Sequence, residues 1–168
     1  MKRFICIACL VLLFLTMSAC DPGTYQFRED LNAGDVVSVE LIRYENPKQK
    51  MFRSWVPDHF KRLGDLDLSS VTVLETLEED KKAEFLNQLS RENILLHYYV
   101  FNSPKGICLR INYSNGDFLI VNNDCESKTY RGYIGMYNAE GEVTEFYGTF
   151  VRYDSFESLV NDYFETKV

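Results

Sequence analysis

Few residues in this chain have the types and spacing that chemistry requires. Histidine occurs only at His59 and His97. Asp58-His59 sets a carboxylate beside an imidazole, the pair that general acid–base work uses to orient and polarise. Neighbours in sequence rarely face one another, however, and a loop Asp-His more often serves as a cap in contact with solvent. His97 falls mid-strand in Leu95-Leu96-His97-Tyr98-Tyr99 and reads as a structural histidine. A nucleophile needs a base and an orienting group nearby. Cys108 or Cys125 with His59 or His97 supplies the residue types, but no local motif joins them. Ser-x-x-Lys, Gly-x-Ser-x-Gly and His-Glu-x-x-His are absent, as are glycine-rich phosphate loops. Structural zinc takes about four Cys, His or carboxylate ligands, and with the two thiols available to bond each other, two separated histidines do not complete a set. Asp65-Leu66-Asp67 opens like a calcium loop without the glycine and distal glutamate that complete one. Asn112-Tyr113-Ser114 matches a glycosylation sequon and is given no weight. The expectation is a chain without catalytic residues, cofactor or metal.

The stronger signal is at the amino terminus. Lys2 and Arg3 precede an unbroken apolar run from Phe4 to Leu15, followed by small residues leading to Cys20. A basic start, a short apolar stretch and a small-residue cleavage site describe a secretory signal peptide. The run is shorter than the roughly 20 residues that span a bilayer core. Cys6 and Cys9 form a C-x-x-C within this leader and carry no redox meaning there.

Met17-Ser18-Ala19-Cys20 resembles the lipobox of bacterial lipoproteins, with Met17 where the family usually has leucine. The resemblance implies diacylglyceryl transfer to the Cys20 thiol, cleavage after Ala19, and often acylation of the new amino terminus by a chain such as palmitate. Two or more acyl chains hold a protein stably to a membrane, at about 0.8 kcal/mol per buried CH₂. The implied localisation is the outer, extracytoplasmic face of the cell membrane. Asp21 resembles the signal that retains lipoproteins in the inner membrane of some two-membrane bacteria, and carries no message in a single-membrane one.

Residues 1–19 read as the cleaved leader, 20–34 as a tether and 35–168 as a single domain. The leader holds two of the 18 basic residues and none of the 25 acidic ones, leaving 16 basic against 25 acidic in the rest. That balance argues against nucleic acid, whose binders carry basic patches. Once Cys20 is acylated, Cys108 and Cys125 remain as an even pair in a compartment that permits disulfides.

The elements that must position these residues follow from periodicity. Strands are predicted over 35–44, 71–75, 94–101, 107–113, 118–121, 130–137 and 142–150. Thr76-Leu77-Glu78-Glu79 has the capping-box pattern and starts a helix running to about Arg91. Glu78, Glu79 and Asp80 fall in its first turn, where the helix dipole favours acids. Asp154-Ser155-Phe156-Glu157 starts a second helix, with Phe156, Leu159, Val160, Tyr163 and Phe164 on one face. Asn115-Gly116 predicts a two-residue hairpin turn. Ile111 then faces Ile120, Tyr113 faces Phe118, and Cys108 faces Asn123, with Cys125 its diagonal neighbour. A bulge or longer loop would set the two sulfurs opposite each other, and geometry decides the disulfide. The predicted fold class is α+β: an antiparallel sheet of roughly six to seven strands with two helices packed on one face.

The unit from Val71 to Val121, strand, helix, strand and hairpin, is similar to small domains of uncharacterised surface lipoproteins in Gram-positive bacteria. That likeness is one of pattern and implies no activity. One segment, 47–63, mixes Lys48, Lys50, Arg53, Lys61 and Arg62 with Phe52, Trp55 and Phe60. It reads either as a loop whose aromatics pad the sheet or as a contact surface formed by Phe52, Arg53, Trp55, Phe60 and Lys61. Three functional readings follow. The first is a lipid-anchored, non-catalytic binding or accessory domain for a protein or ligand still to be identified. The second is a thiol- or histidine-dependent surface enzyme. The third is an inhibitor or immunity-type lipoprotein that binds a secreted enzyme.

Overall fold

The computed structural model describes residues 24–25, 35–45, 65–92, 94–96, 106–123, 132–150 and 153–166. Its strands are β1 (Thr24–Tyr25), β2 (Val36–Tyr44), β3 (Val71–Thr76), β4 (Ile94–Leu96), β5 (Gly106–Tyr113), β6 (Phe118–Asn123), β7 (Gly132–Tyr137) and β8 (Val143–Phe150). Helix α1 (Glu79–Leu89) follows β3, and α2 (Tyr153–Tyr163) follows β8. All strands join one antiparallel sheet in the order β1-β4-β8-β7-β6-β5-β2-β3. The class is α+β, with six strands of six residues or more and two shorter ones, β1 and β4, at one edge. Thr24–Tyr25, within the stretch expected as a tether, forms that edge against β4.

Because side chains alternate across a strand, the sheet buries two apolar sets. On one face Val39, Leu41, Leu109, Ile111, Leu119, Val121 and Ile134 form a single core with both helices. The helices contribute Phe85, Leu86 and Leu89 from α1, and Phe156, Leu159 and Val160 from α2, with Phe164 just beyond it. The α2 stripe is the one its spacing predicts. Phe85 meets Tyr163 and Phe164 edge-on, at 5.3 and 5.9 Å between ring centres. Burial, with the Glu84 carboxylate beside it, raises the Tyr163 hydroxyl pKa above the usual phenol value. On the other face Ile42, Tyr44, Cys108, Phe118, Ile120, Tyr137 and Val143 form a second core with Leu66. Each such side chain contributes roughly 1.5–3 kcal/mol when fully buried.

Three local expectations are corrected. The capping box does not form: Thr76 ends β3 opposite Glu40, and the Leu77 N–H donates to the Val39 carbonyl at 2.8 Å. Ladder pairing therefore takes the backbone that the cap would have used. The helix starts at Glu79 without a side-chain cap and stops at Leu89, short of Arg91. The second capping pattern lies inside its helix, since α2 already begins at Tyr153.

The third correction is the β5–β6 turn. Tyr113 N–H donates to Asp117 O at 2.9 Å and Gly116 N–H to Tyr113 O at 3.1 Å, closing a three-residue loop with Gly116 at φ 92°. This is the hairpin in which a left-handed glycine closes the loop. The extra loop residue slips the register by one. Ile111 pairs with Leu119 rather than Ile120, Asn112 with Phe118, and Cys108 with Asn122. A one-residue slip moves a strand's residues to the opposite face relative to its partner. The β7–β8 turn repeats the device: Asn138 N–H donates to Glu142 O at 3.0 Å, Gly141 N–H donates to Asn138 O at 2.9 Å, and Gly141 has φ 84°.

Long-range ties then hold the layers. Both Glu75 carboxylate oxygens accept backbone N–H groups just past α2, from Glu165 and Thr166, at 2.9 Å each. Lys82 of α1 donates to the carbonyls of Val36 and Val37 at 3.1 and 3.4 Å, where β2 bulges against β5. That bulge leaves Val37 57% exposed and interrupts the in-and-out alternation of β2. Across the second face, Leu66 N–H donates to Gly141 O at 2.8 Å, and Asp65 Oδ1 accepts the Val143 N–H at 3.0 Å.

Gly141 therefore answers two demands at once. A Cβ there would lie 2.8 Å from Leu66 O and 3.1 Å from Leu68 Cγ, besides straining the positive φ. At Gly116 the nearest atom would be Ala139 Cβ at 3.5 Å, an ordinary contact. The left-handed conformation alone costs a non-glycine residue about 1–2 kcal/mol. Gly116→Ala should lose about that much in urea unfolding, and Gly141→Ala clearly more because a backbone carbonyl must also move. Equal losses would refute the steric contribution of the 65–68 segment.

Candidate functional site

The second sheet face carries an ordered set of polar and aromatic side chains that strand register places in two rows. In one row Thr76, Glu40, Arg110 and Ile120 stand opposite one another in turn on β3, β2, β5 and β6. In the next, Ser38, Asn112, Phe118 and Tyr137 do so on β2, β5, β6 and β7. Directly opposed residues on one face are the pairs that interact most strongly in a sheet.

Arg110 Nε donates to Glu40 Oε2 at 2.8 Å, and Arg110 Nη2 donates to the same oxygen. The two side chains are only 20% and 14% exposed, so solvent screens the pair less than it does a surface bridge. Ser38 Oγ donates to Glu40 Oε1 at 3.5 Å, and Asn112 Nδ2 donates to Ser38 Oγ at 2.9 Å. The Arg110 guanidinium carbon lies 5.8 Å from the Phe118 ring centre, within cation–π range. Phe118 in turn stacks on Tyr137, with ring centres 5.3 Å apart and planes 10° from parallel. A charged pair is thus held on one side by hydrogen bonds and on the other by an aromatic stack. With the guanidinium and carboxylate bound to each other, the array fastens β2 to β5 across the sheet.

Sequence reasoning missed this array. Periodicity places Glu40 and Arg110 on strands and singles out neither. The signal was present in principle, since alternation puts both on the same face as Ile42 and Cys108. Pairing β2 with β5 is what makes them neighbours, and those strands are far apart in the chain.

Of the residues singled out from sequence, Cys108 is described. It is fully buried in β5, and its Sγ approaches Gly106 O at 3.7 Å. In the observed register Cys108 pairs with Asn122 rather than Asn123. Cys125 itself lies outside the described residues, as do Cys20, Asp58, His59, His97 and the contact set Phe52, Arg53, Trp55, Phe60 and Lys61. Among the described residues no group of three or more His, Cys, Asp or Glu is placed to hold a metal ion.

Compared with protein-family models, with curated proteins and with solved structures, the chain matches none. Its functional reading rests on its own residues.

The Glu40–Arg110 pair should behave as a coupled unit. A double-mutant cycle of Glu40→Gln and Arg110→Met, read by urea unfolding, should give a coupling of about 1–2 kcal/mol, above the range of exposed pairs and below that of fully buried ones. Additive single losses would mean that the pair is incidental.

Proposed function

We propose that this chain is a lipid-anchored, extracytoplasmic binding or accessory domain without catalytic activity. Met17-Ser18-Ala19-Cys20 at the end of the apolar run Phe4–Leu15 is the observation that carries the reading. Cys20 takes the acyl chains, residues 1–19 are removed, and the domain works at the membrane's outer face. No helix among the described residues is long and apolar enough to cross a membrane.

Two features support binding over catalysis. The polar groups gathered on the sheet are engaged with one another. Cys108, the thiol that an enzyme would offer from β5, is fully buried and out of an incoming substrate's reach. The partner contacts the sheet and the basic-aromatic set Phe52, Arg53, Trp55, Phe60 and Lys61, where stacking and positive charge suit an amphipathic or anionic surface.

Intact mass of the membrane-extracted protein tests the anchor. Loss of residues 1–19 together with added acyl mass is the expected result, and Cys20→Ser should release the protein from the membrane fraction. An unlipidated mass would overturn the proposal and put the thiol- or histidine-dependent enzyme first. For the contact set, Arg53→Ala with Trp55→Ala should abolish partner capture while leaving Tm nearly unchanged. A large fall in Tm would instead make these residues part of a core.

A further inference from the structure

The β5–β6 tip carries the chain's one Asn-Gly dipeptide, Asn115-Gly116, and both residues are exposed. In an unstructured chain such a pair is chemically unstable. The glycine nitrogen, unshielded by a Cβ, loses its proton to solvent and attacks Cγ of the asparagine. The new N–Cγ bond forms, the Cγ–Nδ2 bond breaks, and Nδ2 takes a proton from solvent and leaves as ammonia. Water then opens the five-membered imide to aspartate or isoaspartate. No oxidant, metal or enzyme is needed.

The geometry points to Asn115 as a modification site that the folded hairpin holds shut, converted only when the tip opens. Nucleophile and electrophile are pinned by separate bonds. Gly116 N–H donates to Tyr113 O at 3.1 Å, which occupies the proton that must leave. The Asn115 amide is clamped at both ends by one residue: its Oδ1 accepts the Asp117 N–H at 3.0 Å, and its Nδ2 donates to Asp117 Oδ2 at 2.8 Å. Attack requires the side chain to leave Asp117 and swing toward Gly116 while the Gly116 N–H leaves Tyr113. The surroundings resist both motions. Tyr113 N–H and Ser114 N–H are bonded to Asp117 O and Asp35 O at 2.9 Å each. The second hairpin tip leans on the first, with Ala139 Cβ 3.5 Å from where a Gly116 Cβ would sit.

The product cannot restore the clamp. Aspartate at 115 puts a carboxylate oxygen where Nδ2 donated to Asp117, so a hydrogen bond becomes a contact between two anions. Isoaspartate also adds a backbone atom to a loop whose length sets the β5–β6 register. Conversion is therefore one-way, and its extent records how often the tip has opened.

The test follows Asn115 conversion in the full chain by peptide mass and chromatographic separation of the isoaspartyl form. Three samples are compared in one mildly alkaline buffer: native protein, protein unfolded in urea, and native Asp117→Ala. When opening is fast relative to the chemistry, the native rate is the unfolded rate multiplied by the open fraction. Native protein should convert about tenfold or more slowly than unfolded chain. Asp117→Ala should convert several-fold faster than native wild type while keeping its far-UV circular dichroism. Equal rates in native and unfolded wild type would overturn the inference. So would a folded Asp117→Ala that converts no faster than wild type, and should that variant fail to fold, the wild-type comparison decides alone.

Discussion

The pairing of β2 with β5 is the constraint on which the rest of the molecule depends. The two strands come from parts of the chain separated by β3, α1 and β4, so joining them carries a loop-closure entropy that local hairpins do not. Burial on both faces offsets it. Val39 and Leu41 with Leu109 and Ile111 face the helices, while Ile42 and Tyr44 with Cys108 face the other way. With that pairing made, β5 leads into the meander through β6 and β7 to β8, and β2 carries β3 at the edge. The Glu40–Arg110 pair sits in the middle of this join, where a slip of one residue would part the two charges and turn one of them toward the helices' apolar side chains.

Register is guarded by side chains that reach well beyond their own strands. Lys82 engages the carbonyls at the β2 bulge while pairing with Glu79 on its own helix. Glu75 binds the chain just beyond α2, so that edge strand and final helix secure each other. The Leu66 N–H and the Asp65 carboxylate are tied to Gly141 and Val143 at the β7–β8 turn over the second face. In each case a polar side chain or backbone group satisfies amides or carbonyls that irregular structure leaves over, which a buried backbone must achieve somewhere.

The two faces of the sheet thus do different work. The helix-covered face is mainly apolar and carries the larger buried set among the described residues. The other mixes an apolar core with the row of Ser38, Glu40, Arg110 and Asn112, each partly exposed and each in an ordered hydrogen bond. Arg110 over Phe118, and Phe118 on Tyr137, grade that polar strip into an aromatic one. The two rings are themselves buried, so the strip anchors the half-buried Arg110 to the second core.

What the sequence by itself determined is local. The α2 stripe from Phe156 to Phe164 and the strands around Asn115-Gly116 and Asn138-Gly141 were legible because neighbours within a few residues generate them. The apolar run Phe4–Leu15 ahead of Cys20 is likewise visible in composition and order alone. Tertiary structure decided the rest. Thr76 could cap a helix or extend a strand, and the waiting edge of β2 settled it. Asn-Gly could close a two- or three-residue loop, and the choice re-paired Ile111 with Leu119 and Cys108 with Asn122. Glu40 and Arg110 could not be joined by inspection, since their partnership exists only through a pairing made across most of the domain. Short-range periodicity specifies which residues turn toward a core; only long-range strand pairing specifies which core, and beside whom.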